Sequence, residues 1–429
     1  MKHTRTATAA VAALALALSA CATSTDDGPE EEGGGDGPVT LRFQSLAFQE
    51  STIKATKDIV AAWNADNPDV QVEYVQGSWD SVQDQLVTQF QGDTAPDIIQ
   101  YESAAMTQFA QQGYLADLSD LLDDDVQGAV SDDIWETVTV DDTVIAAPTL
   151  LQSYVVFANR ALLEDAGVEI PEGDTWTWDD FQAAAEATTS GNTFGLGWGL
   201  GDPTATMLSL GLNFGGEYFE GSGDDATIDV GDAELALPER IHEMVYDQKS
   251  LDPVTLTQSG SDVMAGFLKG RYAMTVQGSY NAQTLSESAP ADLDWMVMPA
   301  LEGDSADQAA NPQTLSVSAQ SPAVEEAAEF INYYMQPDNL AAVAEGDWLI
   351  PASSDAAAAV EENTGGANGW STILAGGEHL TKAPFQSATA YPQWKDQIAT
   401  PSFQRYLGDE ISADELAAEL TEGWESVSP

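Results

Sequence analysis

The sequence contains little cysteine, little histidine and few basic residues. Its 429 residues include one cysteine, Cys21, so neither an intramolecular disulfide nor a CxxC metal or redox site can form. Lysine and arginine total 13 against 71 aspartate and glutamate residues, which gives a formal net charge of −58. This balance argues against nucleic-acid binding and against attachment to anionic lipid through a basic patch, because both require clustered Lys and Arg. It indicates a solvated acidic surface.

Sequence signatures of catalysis are also missing. There is no HExxH, HxH, GxSxG or GxxxxGK[ST] motif, and the glycine-rich run 195–201 lacks GxGxxG spacing. Beyond the first 20 residues the histidines are His242, in a helical surface pattern, and His379, in a predicted loop. We therefore expect no enzyme activity, no catalytic residue, no metal site and no cofactor. A surface-anchored carbohydrate hydrolase or lyase stays open, since glycoside hydrolysis needs only two carboxylates.

The N-terminal segment predicts export and lipid attachment. Residues 1–5 (MKHTR) are basic and residues 9–20 are almost entirely Ala, Leu and Val, a run too short to span a membrane. This pattern is typical of a signal peptide over residues 1–20. The sequence LSAC at residues 18–21 resembles the bacterial lipobox, in which the cysteine is lipidated and becomes the mature N-terminus. We therefore expect a secreted lipoprotein anchored to the outer face of the cell membrane through Cys21 alone.

Residues 21–38 predict a flexible tether. They include no large apolar side chain, so they cannot bury enough surface to offset the entropy of ordering. Their glycines favour flexibility and their acids favour extension. No later stretch approaches 18 consecutive apolar residues, the length that a transmembrane helix needs.

From Val39 onward the pattern alternates between strands and helices. A first helix is predicted to begin at Ser51 and to bury Ile53, Val60 and Trp63. The order βαβαβ predicts a parallel sheet covered by helices on both faces. The predicted strands are 39–43, 70–74, 97–99 and 272–276. The other predicted helices are one through Val82, Leu86 and Phe90, and those near 160–165, 179–188, 323–335, 394–406 and 413–424.

Short motifs occur in a fixed order along the chain. They are GDTAPDII (92–99), GYLADL (113–118), AP (147–148) followed by Tyr154 and by NR (159–160), TWTWDDF (175–181), GFLKGRYAMTVQG (266–278), VMPAL (297–301), AAEF (327–330) and GDWLIP (346–351). Each is weak alone. In register from Val39 to the C-terminus, they closely resemble the extracellular solute-binding proteins of carbohydrate ABC transporters, the family that includes maltose-binding protein.

The resemblance implies an α/β fold of the periplasmic-binding-protein (type II) kind. Two lobes joined by a three-segment hinge would close on a ligand in the cleft between them, with strand-to-helix loops lining that cleft. We place the hinge segments near 147–150, 295–298 and 346–350. Lobe 1 would comprise 39–149 and 297–345, and lobe 2 would comprise 150–296 and 346–429. The implied partners are a carbohydrate and ABC permease subunits, with no nucleic acid, and the protein is expected to be a monomer.

A sugar presents apolar C–H faces and a ring of hydroxyls, so its site needs flat aromatic platforms and hydrogen-bonding side chains. Tyr280 stands where the family commonly carries a stacking aromatic residue. The other candidate ligand contacts follow predicted strands or stand in predicted loops: Ser45, Gln49, Trp79, Tyr101, Glu102, Gln152, Trp198, Gly278, Ser279, Trp348, Trp370 and Trp394. The remaining tryptophans considered are assigned to core or structural roles: Trp63, Trp176, Trp178 and Trp424.

The positions of the basic residues bear on the charge of the ligand. Most fall on predicted helix or strand surfaces, and none clusters in the candidate loops. An anionic ligand is normally clamped by Arg. We therefore expect a neutral sugar or oligosaccharide that is delivered to the permease. A non-sugar solute, or a cationic amino sugar or polyamine, stays open because acids are abundant throughout the chain.

Overall fold

The computed structural model describes residues 38–428. Its strands, in chain order, are β1 (Val39–Ser45), β2 (Val70–Gln76), β3 (Ile98–Glu102), β4 (Thr139–Val140), β5 (Thr143–Val144), β6 (Ala147–Leu151), β7 (Tyr154–Asn159), β8 (Thr175–Thr177), β9 (Phe194–Trp198), β10 (Phe219–Glu220), β11 (Thr227–Ile228), β12 (Tyr272–Gly278), β13 (Trp295–Val297), β14 (Ala300–Glu302), β15 (Gln308–Ala309), β16 (Gln313–Val317), β17 (Ile350–Pro351) and β18 (Leu380–Thr381).

The helices alternate with these strands. In chain order they are α1 (Glu50–Asp66), α2 (Val82–Gln91), α3 (Ser103–Gln111), α4 (Asp124–Gly128), α5 (Asp132–Glu136), α6 (Arg160–Asp165), α7 (Trp178–Thr188), α8 (Thr204–Gly211), α9 (Asp232–Tyr246), α10 (Gly260–Phe267), α11 (Asn281–Ser288), α12 (Val324–Tyr334), α13 (Pro337–Asp347), α14 (Ser354–Thr364), α15 (Trp370–Ala375), α16 (Tyr391–Trp394), α17 (Thr400–Leu407) and α18 (Ala413–Val427). Short 3-10 segments are Leu212–Phe214, Pro253–Thr257, Ala367–Gly369, Gly376–His379 and Pro384–Ser387, and a π-helical turn is Lys395–Ala399.

The larger sheet has the strand order β17-β6-β16-β3-β1-β2. β1 pairs in parallel with both β2 and β3, as the βαβαβ pattern predicts. β16 enters between β3 and β6 and is antiparallel to both, and β17 is antiparallel to β6. The prediction of a parallel sheet is therefore confirmed for the first three strands. The sheet as a whole is mixed because later segments of the chain complete it.

The smaller sheet has the strand order β13-β7-β12-β9. β12 is parallel to β9 and antiparallel to β7, which also pairs with β13. Gln152 and Ser153 connect the two sheets, since β6 ends at Leu151 and β7 begins at Tyr154. After β13 the chain leaves the smaller sheet, and it rejoins the larger sheet at β16. Residues 295–297, which belong to the predicted second hinge segment, form strand β13. The lobe boundaries themselves stay a prediction.

Helix α1 begins slightly earlier than the pattern predicts. Gln49 is the residue before its first turn, whereas the predicted cap, Ser51, lies inside the helix and donates its hydroxyl to the Gly346 carbonyl at 2.8 Å. Thr52 is buried in place of the predicted Ile53. The reason is a close approach of α13, because a Cβ on Gly346 would lie 2.9 Å from the Thr52 backbone.

The tryptophans assigned to the core are buried as expected. Trp63 packs in the interior of the larger sheet's layer, and Trp176, Trp178 and Trp424 pack around the smaller sheet. Burial of side chains this large contributes about 1.5–3 kcal/mol each. The TWTWDDF segment also caps a helix, since the Thr177 hydroxyl accepts a hydrogen bond from the Asp180 N–H at the start of α7.

Within residues 38–428, no helix combines the length and the apolar character needed to cross a bilayer. The predicted signal peptide, the lipidated Cys21 and the tether up to residue 37 lie outside the described residues.

Candidate functional site

A cavity of about 810 Å³ lies at the carboxyl ends of β3, β6 and β12, where open α/β sheets place their ligands. This volume is typical of a small-molecule site. Its aromatic lining residues are Phe48, Trp79, Tyr101, Tyr154, Tyr280, Phe385 and Tyr391. Its polar and charged lining residues are Gln83, Glu102, Thr107, Gln108, Gln111, Gln152, Ser209, Asn311, Gln313, Asp347, Gln386, Ser387, Thr389, Lys395 and Asp396.

Five of the predicted contacts come together in this cavity. They are Trp79, Tyr101, Glu102, Gln152 and Tyr280. Trp79 follows β2, and Tyr101 and Glu102 end β3, so parallel pairing brings them to one edge of the larger sheet. Gln152 lies in the connection between the sheets, and Tyr280 follows β12.

Glu102 is held by residues that β16 brings beside it. β16 pairs Gln313 with Glu102, and Asn311, two residues earlier, donates from Nδ2 to Glu102 Oε2 at 2.9 Å. The same amide accepts from Ser103 Oγ at 3.1 Å and from the Ala104 N–H at 3.3 Å, so its orientation is fixed. Burial raises the pKa of Glu102, while the Asn311 hydrogen bond and the charge of Lys395 oppose that rise.

Ser45 supports the wall of the cavity from behind. Its hydroxyl donates to Gln100 Oε1 at 2.9 Å, and Gln100 Nε2 donates to Gln313 Oε1 at 2.8 Å. Ser45 is buried and does not line the cavity, and Gln49 also lies outside the lining. We therefore assign Ser45 a positioning role through Gln100 rather than direct ligand contact.

Trp79 and Tyr101 form an aromatic surface on the larger sheet's side of the cavity. Their ring centroids lie 5.9 Å apart with planes at 44°. Burial, together with the neighbouring charge of Glu102, raises the pKa of Tyr101 to about 12. The Tyr101 hydroxyl therefore keeps its proton at neutral pH and can donate a hydrogen bond.

Tyr280 forms the opposite aromatic surface and owes its position to Gly278. A Cβ on Gly278 would lie 2.5 Å from Tyr280 Cε1 and 2.9 Å from Gln152 Nε2. Glycine therefore allows the tyrosine ring and the Gln152 amide to meet above the end of β12. Tyr280 is 40% exposed, which leaves its ring available to a ligand. Gly278 and Ser279 are themselves buried and outside the lining.

Three predicted contact tryptophans are instead packed in the interior. Trp198 lies in β9 and stacks on Trp178 with ring centroids 6.3 Å apart, and Trp394 donates from Nε1 to the Leu420 carbonyl at 2.9 Å. Trp370 is buried and stacks on the half-buried Trp348 at 4.9 Å. These four residues do not line the cavity, because their rings are used in packing.

Several lining residues are not among the contacts predicted from the sequence. Phe48 follows β1 between the two predicted contacts Ser45 and Gln49, so the strand-end rule could have found it. Asn311 and Gln313 reach the cavity because β16 inserts antiparallel beside β3. No local sequence pattern predicts that insertion. Lys395, the one basic residue among the described residues of the lining, was not among the predicted contacts, and its Nζ lies 3.8 Å from Asp202 Oδ2.

Asp347, at the end of α13, is a buried carboxylate in the cavity wall with 3% exposure. It accepts a hydrogen bond from the Thr52 hydroxyl. Burial raises its pKa to about 6, and the Thr52 hydrogen bond opposes that rise.

In the part of the chain that the structure describes, no group of three or more His, Cys, Asp or Glu side chains is arranged to hold a metal ion. His242 has a packing role, since its ring lies between Tyr246 and Tyr406 at centroid distances of 4.5 and 5.2 Å. Its Nε2 is 3.2 Å from Asp409 Oδ1.

Comparison with known proteins agrees with this architecture. The family model for bacterial extracellular solute-binding proteins matches residues 49–341. A relative from Streptomyces antibioticus, named "Uncharacterized lipoprotein in oleD 5'region", is 40% identical over 91% of this chain and 86% of its own length.

Solved structures share the fold. The GacH receptor of Streptomyces glaucescens, determined unliganded and in complex with acarbose, superposes with a TM-score of 0.73 at 21% identity, covering 91% of this chain and 98% of that one. The cyclic alpha-maltosyl-1,6-maltose binding protein of Arthrobacter globiformis gives 0.77 at 18% identity, covering 91% and 99%. The expected two-lobed α/β fold is thereby confirmed.

Proposed function

We propose, because this chain belongs to the family of bacterial extracellular solute-binding proteins, that it is the solute-capturing component of an ABC importer. It binds an oligosaccharide in the cavity and delivers it to the permease subunits. The observation that carries this proposal is one cavity lined by aromatic residues from the ends of both sheets, Trp79 and Tyr101 at the larger and Tyr280 at the smaller, together with amide and carboxylate groups. The sugar-derived ligands named for the Streptomyces glaucescens and Arthrobacter globiformis proteins support it.

The lining suits the two faces of a sugar ring. Tyr280 on one wall, and Trp79 with Tyr101 on the other, offer flat apolar surfaces for C–H groups. Gln152 and Glu102 offer hydrogen-bonding atoms for hydroxyls. Because one chain provides all of these groups, we propose that the protein acts as a monomer.

A thermal-shift screen over mono- and oligosaccharides tests this function. A ligand that binds only the native state stabilises it by about 2.7 kcal/mol at a concentration one hundred times its Kd. We expect at least one oligosaccharide to raise the melting temperature progressively as its concentration increases above the Kd. A stabilising non-sugar solute, with no response to any sugar, would overturn the carbohydrate assignment.

We propose that Cys21 carries the lipid anchor. Replacing Cys21 with alanine is expected to release the protein into the medium and to abolish labelling by a fatty-acid analogue. The physical reason is that one acyl chain binds membranes only marginally, whereas two hold a protein stably. A Thr25→Ala variant, altered in the predicted tether, should remain labelled and membrane-bound. Retention of labelled Cys21→Ala protein on the membrane would refute the anchor.

A further inference from the structure

The wall of the cavity carries an excess of negative charge. Its charged residues are the acids Glu102, Asp347 and Asp396 and one base, Lys395. The Lys395 ammonium already faces a carboxylate, since its Nζ lies 3.8 Å from Asp202 Oδ2. Its charge also acts on Glu102, so this one base is shared between two carboxylates and the wall keeps a net negative charge.

Glu102 and Asp347 are held by neutral donors only. Asn311 Nδ2 donates to Glu102, and the Thr52 hydroxyl donates to Asp347. Among the ion pairs formed within residues 38–428, neither carboxylate has a Lys, Arg or His partner. A carboxylate withdrawn from water without a counterion is costly, and hydrogen bonds from neutral groups offset that cost only in part.

Electron-rich rings line the same cavity as Glu102. Tyr101 precedes it in β3, and both line the cavity. Tyr391 also lines the cavity. Burial raises the pKa of its hydroxyl, and the charge of Glu102 is among the further causes. Carboxylates beside aromatic faces form the setting in which an ammonium group is bound, because the ring quadrupole and the negative charge both attract it.

We propose that the oligosaccharide carries at least one basic amino group, as an amino sugar does, and that Glu102 is the residue that selects for it. This inference rests on the proposed function and narrows it. The hydroxyls of a neutral sugar can donate to Glu102 and Asp347, but they leave the net negative charge of the wall unchanged. An ammonium group in the cavity supplies hydrogen bonds and the missing positive charge together.

Two tetrasaccharides with the same β-1,4 backbone test the proposal. Tetra-glucosamine has a basic amino group at C2 of each ring, and cellotetraose has a hydroxyl there. Their affinities are measured by calorimetry at pH 7 and physiological salt. We expect tetra-glucosamine to bind one site per protein at least tenfold more tightly than cellotetraose. Glu102→Gln is expected to remove most of this preference, because it lowers the affinity for tetra-glucosamine much more than the affinity for cellotetraose.

A matched variant separates the cavity from the general acidity of the protein. Glu329→Gln removes one negative charge from an exposed position on α12 and should leave the preference intact. Equal or tighter binding of cellotetraose, or a preference equally reduced by both variants, would overturn the amino-sugar proposal while leaving carbohydrate capture standing. If neither tetrasaccharide binds and the thermal-shift screen finds no sugar, the proposed function fails as well.

Discussion

Replacing Tyr280 with alanine is expected to weaken oligosaccharide binding about tenfold to one hundredfold. The ring supplies one of the two aromatic walls, and the loss of that apolar contact corresponds to about 1.5–3 kcal/mol, with 1.4 kcal/mol for each factor of ten. Because Tyr280 is 40% exposed, the melting temperature of the unliganded protein should change little. Calorimetric titration with the best oligosaccharide from the screen provides the affinities.

Two further variants show whether the Tyr280 ring or its hydroxyl contributes the affinity, and whether the effect is specific to the cavity. Tyr280→Phe keeps the ring and should retain most of the affinity, which distinguishes stacking from a hydrogen bond through the hydroxyl. Val254→Ala trims an exposed apolar side chain that does not line the cavity and should have no effect on binding. An unchanged affinity in a folded Tyr280→Ala protein would mean that the ligand does not contact this wall.

Replacing Asp347 with asparagine is expected to stabilise the protein above pH 6. Burial raises the pKa of Asp347 from its ordinary value of 3.8 to about 6. Asparagine has nearly the same shape, can accept the Thr52 hydrogen bond and carries no charge. The difference between the two pKa values corresponds to a gain of at most about 3 kcal/mol in the free energy of unfolding at pH 8.

The sign of the pH dependence follows from proton binding. Between pH 3.8 and about 6 the folded state binds more of this proton than the unfolded state, so the contribution of Asp347 to stability falls as the pH rises through that window. Chemical unfolding at pH 4 and pH 8 should therefore show the advantage of Asp347→Asn growing with pH. Asp69→Asn, at an exposed position in the turn before β2, is the control. A stability difference that is the same at both pH values would contradict the assignment.

Much of the secondary structure could be predicted because local patterns determine it. The alternation in β1 and β2 and the apolar spacing in α2 are properties of short segments. The helices near 160–165, 179–188, 323–335 and 413–424 are likewise observed. The antiparallel insertion of β16 could not be predicted in this way, since the partners of a strand are chosen by packing across the whole sheet.

Cavity residues could be predicted from the sequence where they directly follow or end a strand. Trp79 and Tyr101 follow or end parallel strands, and Tyr280 follows the motif-bearing strand β12, so all three reach the cavity. Trp198, Trp370 and Trp394 show why composition was insufficient: a tryptophan that suits a sugar equally suits a core. Their burial depends on neighbours distant in sequence, such as Trp178 and Leu420.

A crystal structure of the protein with the tightest-binding oligosaccharide tests the central claim most directly. We expect a sugar ring stacked on Tyr280, with hydrogen bonds from the ligand to Glu102 and Gln152 in the same cavity. A ligand bound outside this cavity, with Tyr280 and Tyr101 free of contact, would contradict it.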